Sequence, residues 1–279
     1  MIKIVTDSGS GMTPEVARQF GVTVVPLYVH FGTETFREGV DLELDEFLSR
    51  LKSAPQLPTT SQPSAGDFLE IYKPLIADGS EVISIHLSSK LSGTVASANT
   101  ACEMLPGAGI HVVDSQFISA TQLTMVLEAA RMAHAGRSAQ AILDRLKQII
   151  VGAHLYFVVD TLEYLQKGGR IGKAAALLGT ALQMKPILAL EEGVVEAKER
   201  IRTKSKAVAR LRELVLHETA GCSRVYLGIL HAAAPDEAQR LEADLLSRLK
   251  PFEITMGQVG PVIATHTGPG VVGVAFYAE

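Results

Sequence analysis

Three stretches of this chain carry side chains suited to holding an anion. Pro58-Thr59-Thr60-Ser61-Gln62-Pro63-Ser64 concentrates hydroxyls just before a helix start, and His86-Leu87-Ser88-Ser89-Lys90-Leu91-Ser92-Gly93-Thr94 does the same after a short apolar run. The third, Ala264-Thr265-His266-Thr267-Gly268-Pro269-Gly270, sets a histidine beside a tight turn. Backbone N–H groups left free at a helix start favour negative charge, and neighbouring hydroxyls add donors. Each segment alone is also satisfied as an N-cap, and a lone histidine is also satisfied as a structural residue. Together they predict an anion site at the carboxyl edge of a sheet, where open α/β sheets bind ligands.

Other motifs fail on spacing. Gly168 and Gly172 have three residues between them, and Lys173 is followed by Ala174, so a phosphate-binding P-loop is excluded. Gly268-Pro269-Gly270-Val271-Val272-Gly273 has the letters of a dinucleotide fingerprint, but only six residues follow it, too few for the helix and distal acid that motif needs. There is no HExxH, the eight histidines show no ligand spacing, and no metal or cofactor is expected. Asp7-Ser8 lacks a second acid two residues on, and no G-x-S-x-G elbow occurs.

The elements that must position these groups alternate in the first half. Ile2–Thr6, Val82–Leu87 and Ile110–Val113 read as strands; Val22–Val25 and Leu27–His30 read as extended and β-branched. Helices are expected after Thr13-Pro14, over Leu44–Leu51, from Ser64 to about Ala77, from Ser92 to about Met104, and from Leu123 to Ile150 with a break at Gly136. Such alternation predicts a mainly parallel sheet with flanking helices. The second half changes character: a strand at Leu155–Val159, a hairpin around Glu191-Glu192-Gly193, a basic helix over about 204–216, a strand at Val225–Leu230, a helix over Asp236–Leu249, and a mostly extended end from Phe252 to Tyr277. The expected fold is thus two α/β domains, 1–155 with a mainly parallel sheet and 156–279 with a mixed sheet, and a ligand cleft between or near them.

Composition narrows the function classes. The 279 residues are 47% hydrophobic and 20% charged, which is globular rather than disordered. No apolar run approaches a membrane span, and the first residues lack a signal-peptide core. Cys102 and Cys222 fit neither a disulfide framework nor a metal site, and a reducing cytoplasm is expected. Net charge is −4, but residues 161–212 hold 11 Lys+Arg against 5 Asp+Glu. That +6 segment points to a phosphate or an acidic partner, or else to a solvated helix face. Nucleic acid is not expected, since the chain is not basic overall and lacks Trp and any recognised binding motif.

Several segments together resemble the DegV family, whose members include the fatty-acid-binding subunits of a bacterial fatty acid kinase. They are Thr6-Asp7-Ser8, Pro58 to Ser64, Leu91-Ser92-Gly93-Thr94 with Ser97-Ala98, Val113-Asp114-Ser115, Leu162 to Leu165 with Gly168 to Ile171, Lys185 to Leu188, and His266 to Gly270. They run in order across nearly the whole chain. The resemblance implies two α/β domains with a buried acyl chain, and a fatty acid carboxylate met by Thr60 or Ser61, Ser92 and His266. It implies that Arg170 and Arg202 serve the encounter with a separate ATP-dependent fatty acid kinase, and that the chain is a non-catalytic carrier of a long-chain fatty acid. The sequence departs from the family pattern at Gly11, where a small polar or acidic residue is common, and at Ser119–Gln122, where glycines are usual. An acyl chain gains roughly 12 kcal/mol gross at ~0.8 kcal/mol per buried methylene, before ordering and association costs. The alternatives are an acyl or phosphoryl transferase using Ser92 or His266, for which no base–orienter pair is visible, and a small-metabolite sensor.

Overall fold

A computed structural model describes residues 1–178 and 184–279. β1 (Ile2–Asp7), β2 (Val22–Val25), β6 (Glu81–His86) and β7 (Ile110–Asp114) form an all-parallel sheet in the order β2-β1-β6-β7. Its strands are short apolar runs, as parallel strands covered on both faces must be. α3 (Ala65–Ile76) and α4 (Thr94–Glu103) pack on each other and on one face of β6, with Phe68, Tyr72, Ala98 and Ala101 buried there. α1 (Pro14–Phe20) begins with Thr13 as N-cap and Pro14 in its first turn.

The larger sheet has six strands in the order β10-β9-β8-β13-β11-β12. These are β8 (Ala153–Val158), β9 (Ile187–Glu191), β10 (Val194–Glu199), β11 (Val225–His231), β12 (Glu253–Gln258) and β13 (Val272–Ala278). Only the β11–β12 pairing is parallel, so the expected antiparallel character holds. α8 (Lys204–Glu218) and α9 (Pro235–Leu246) cover one face through Leu211, Val215, Leu241 and Leu245. α5 (Ala120–His134) covers the other face and packs on β1 as well, while α6 (Ala139–Gly152) lies on α5 and β13. One core of buried side chains therefore runs through both sheets, from Ile4 and Ile83 to Leu155 and Phe157.

Two features depart from the expected architecture. A third, antiparallel sheet forms in the first half, in the order β4 (Glu34–Arg37), β3 (Tyr28–Phe31), β5 (Thr59–Ser61), with α2 (Leu44–Ser53) in the connection. Its strands are three or four residues long, too short to show alternation in the sequence. The other is at the end of the chain, where Phe252–Tyr277 is not mostly strand. α10 (Pro261–Thr267) interrupts it, and His266 sits in the last turn of that helix rather than between a strand and a turn. α10 is buried almost all round, which hides helical periodicity, and Pro261 at its start is the remaining signal. α4 also starts later than expected, at Thr94, leaving Ser92 in the loop before it. α7 (Glu163–Lys167) is a single short helix leading to Arg170.

Candidate ligand cavity

β5, the β6–α4 loop, α10 and the loop after α7 converge on one cavity, of about 850 Å³ with its open mouth included. Thr60, Ser61, Ser92, Arg170 and His266 all line it. The large sheet contributes only apolar side chains to the lining: Leu155, Phe157, Leu190, Val195 and Leu230. Gln62 and Ser119 also line it, neither of which stands out in the sequence as a site residue. Gln62 lies within the hydroxyl run Pro58–Ser64, whereas Ser119 has only the departure from the family's glycines as a signal.

At the polar part, His266 Nε2 lies 2.8 Å from Thr60 Oγ1. Burial, and then the charge of Arg170, push the imidazole down to about 4, so it is neutral at neutral pH. Its buried Nδ1 has no hydrogen-bond partner among the described residues. Gly168 backs the ring so closely that a Cβ there would overlap Nδ1, so only glycine fits. Ser61 Oγ meets His30 Nε2 at 2.9 Å, and Ser92 Oγ meets Thr94 Oγ1 at 2.9 Å. Arg170 is fixed by donating from Nε to Leu91 O (3.1 Å) and from Nη1 to Gly168 O (2.7 Å).

α10 is held at its other end by a buried acid. Glu38, just after β4, accepts from the Val262 backbone N–H at 2.7 Å and from Ser8 Oγ at 2.5 Å. Ser8 Oγ in turn accepts from Leu27 N–H at 2.9 Å. Burial raises the Glu38 carboxyl to about 7, against the pull of those hydrogen bonds. Gly260 packs directly against the carboxylate, where a Cβ would overlap it.

Among the described residues, Ser92 and His266 share no hydrogen bond and His266 has no carboxylate partner. A carboxylate–imidazole–hydroxyl line does exist elsewhere. Asp7 Oδ2 lies 2.9 Å from His86 Nδ1, His86 Nε2 lies 2.7 Å from Ser84 Oγ, and Tyr72 donates to Ser84 at 2.8 Å. All four side chains are sealed at 0% exposure, so the line is a core network beyond the reach of substrate.

Arg202 does not join the cavity. It is exposed in the loop before α8 and makes no ion pair or side-chain hydrogen bond among the described residues. Six of the eleven cations in the basic segment around it are paired. Lys167, Lys173, Lys198, Lys204, Arg210 and Arg212 each pair with an acid, Lys204 with both Asp160 (3.0 Å) and Glu237 (2.7 Å). Among the described residues, no three His, Cys, Asp or Glu side chains group as a metal site, and no helix is long and apolar enough to cross a membrane.

The family model described as "Uncharacterised protein, DegV family" matches residues 1–279. A DegV domain-containing protein of Halalkalibacterium halodurans is 40% identical over 279 residues, covering 100% of this chain and 99% of its own. Among solved structures, a DegV family protein of Thermus thermophilus, described by its fatty acid binding, has a TM-score of 0.95 at 38% identity, covering 100% of this chain and 99% of its own. DegV of Bacillus subtilis, described as a fatty acid binding protein, has a TM-score of 0.92 at 34% identity, with the same coverage.

Proposed function

This chain belongs to the DegV family, and on that premise we propose that it binds one long-chain fatty acid, tail in the apolar cavity and carboxylate at its polar end. The observation that carries this reading is the division of the lining: hydroxyls and an imidazole on the β5, β6–α4 and α10 side, and only apolar side chains on the sheet side. A neutral His266 with Nε2 accepting or donating at Thr60 Oγ1 fixes that hydroxyl in place. With Nε2–H as the donor, the Thr60 hydroxyl is free to donate to a carboxylate oxygen. Ser61 and Ser92 supply further hydroxyl donors. A carboxylate held by neutral donors avoids burying a full ion pair, whose desolvation is costly.

The finer part of the proposal is that the protein performs no chemistry itself, requires no cofactor, and works in the cytoplasm. It presents the bound carboxylate to a separate ATP-dependent kinase. The support is chemical: Arg170 reaches the cavity lining while Arg202 stands exposed without a counter-charge among the described residues, and guanidinium groups suit phosphate and carboxylate.

Native mass spectrometry of the purified protein, before and after delipidation, tests the binding reading. The expected result is one co-purified fatty acid per chain, lost on delipidation and regained on adding oleate or palmitate. A delipidated protein that takes up neither overturns it. Incubation with an ATP-dependent fatty acid kinase, following acyl phosphate formation, tests the presentation step separately.

A further inference from the structure

Leu230 stands in an unusual row of the large sheet. Its partner on β13 is Gly273 and its partner on β12 is Gly257, so the neighbours on both sides lack side chains. The leucine leans over Gly273, with Cδ1 2.9 Å from where a Cβ there would stand, toward Phe157 of the cavity lining. On the other side, a Cβ on Gly257 would meet nothing within 4 Å. That open side is the floor of a second space, between α1, α5 and β12, lined by Met12, Val16, Phe20 and Met256 among others. Leu230 and Ser119 line both the cavity and this groove.

Ser119 comes from the start of α5. Its φ of 59° and ψ of −137° lie where side-chain-bearing residues are rarely found. Its N–H donates to Gly9 O at 2.8 Å, and the next residue, Ala120, rests on Gly228 of β11. The start of α5 is thereby pressed onto the sheet beside Leu230.

We propose that Leu230, backed by Ser119, is the stop that sets the longest acyl chain the cavity accepts, and that the groove beyond it receives the methyl end of a longer chain once the stop is cut back. This rests on the fatty-acid reading above. The sheet-side lining is wholly apolar, so it is the tail that meets Leu230. The glycines on either side leave Leu230 as the sheet's one side chain common to the two spaces, with Ser119 beside it.

Competition binding of saturated fatty acids from laurate to lignocerate against a fluorescent fatty acid tests the stop. The wild-type affinity should climb with length and then fall. Leu230→Ala should move the maximum to longer chains, gaining about fourfold in affinity for each further methylene accommodated. Leu230→Phe should move it to shorter chains. Adding Val16→Trp, which fills the groove, to Leu230→Ala should restore the wild-type limit. Leu230→Val, a milder truncation, should shift the limit less and covers the case in which Leu230→Ala does not fold. If the folded truncations bind fatty acid with the wild-type length profile, the stop is overturned while the binding reading survives. If the wild type binds no fatty acid of any length, the binding reading falls as well.

Discussion

Thr60 and His266 are 206 positions apart in the chain and 2.8 Å apart in space. Thr60 belongs to the small antiparallel sheet, whose other edge strand leads into Glu38, the acceptor for the first turn of α10. The same sheet therefore grips α10 at both ends, through Glu38 at its start and Thr60 at its finish. The hydroxyl and the imidazole are positioned by this grip before any ligand arrives. Thr60→Val and His266→Ala should each weaken fatty acid binding by about 1–3 kcal/mol, the usual cost of leaving a buried polar group without its partner. Isothermal titration of delipidated protein measures this. Unchanged affinity in both variants would put the carboxylate elsewhere.

The two ends of α10 should respond to pH in opposite directions. The Glu38 carboxyl is raised from 4.5 to about 7 in the folded protein, by burial first, with Asp7 and Glu43 adding to it. Its contribution to stability is full below 4.5 and is lost as pH rises through about 7. The His266 imidazole is lowered from 6.5 to about 4, so its contribution is full above 6.5 and is lost as pH falls through about 4. Glu38→Gln should therefore gain melting temperature relative to wild type as pH rises from about 5 to about 8. His266→Asn should gain relative to wild type as pH falls from about 7 to about 4. Each effect amounts to a few kcal/mol, because every tenfold change in proton affinity is worth ~1.4 kcal/mol. Parallel melting curves for wild type and variant across the range would contradict the corresponding assignment.

The network of Asp7, His86, Ser84 and Tyr72 should be important for stability and not for ligand affinity. Asp7 also accepts from the Leu87 and Gly9 backbone N–H groups at 3.0 Å each, tying β1 to the end of β6. His86→Phe leaves Asp7 and Ser84 each short of a partner and should cost about 2–4 kcal/mol in urea unfolding. Any surviving folded fraction should bind fatty acid with wild-type affinity, which distinguishes this network from the ligand site.

Arg170 and Arg202 should separate. Arg202→Ala removes an exposed side chain without partners among the described residues, so stability should stay within about 0.5 kcal/mol and fatty acid affinity should not change. Acyl phosphate formation by the kinase should fall, and added salt should depress the wild-type rate toward that of the variant. Arg170→Ala loses its bonds to Leu91 O and Gly168 O and should also lower the melting temperature. Phosphorylation at the wild-type rate in Arg202→Ala would remove this arginine from the encounter.

Local order is written plainly in the chain. The apolar runs of β1, β6 and β7, the Thr13-Pro14 start of α1 and the capping box of Ser64 and Asp67 at α3 are legible because they depend on neighbours a few residues apart. The hydroxyls of Thr60, Ser61 and Ser92 are legible as residue types, since helix starts and strand ends are marked locally. Short strands and a helix buried all round leave no periodic trace, so beyond the extended reading of Leu27–His30 the small sheet and α10 emerge only in the fold. Glu38 shows why the rest is hidden. In sequence it is one of 30 acidic residues, and only its burial against Ser8, Gly260 and Val262 makes it the anchor of α10. The basic excess of residues 161–212 is visible as composition, but tertiary contacts decide which cations are neutralised and which, like Arg202, are left exposed. Charge and hydroxyl content are properties of residues, whereas partnership and burial depend on segments up to hundreds of positions apart meeting in a single core.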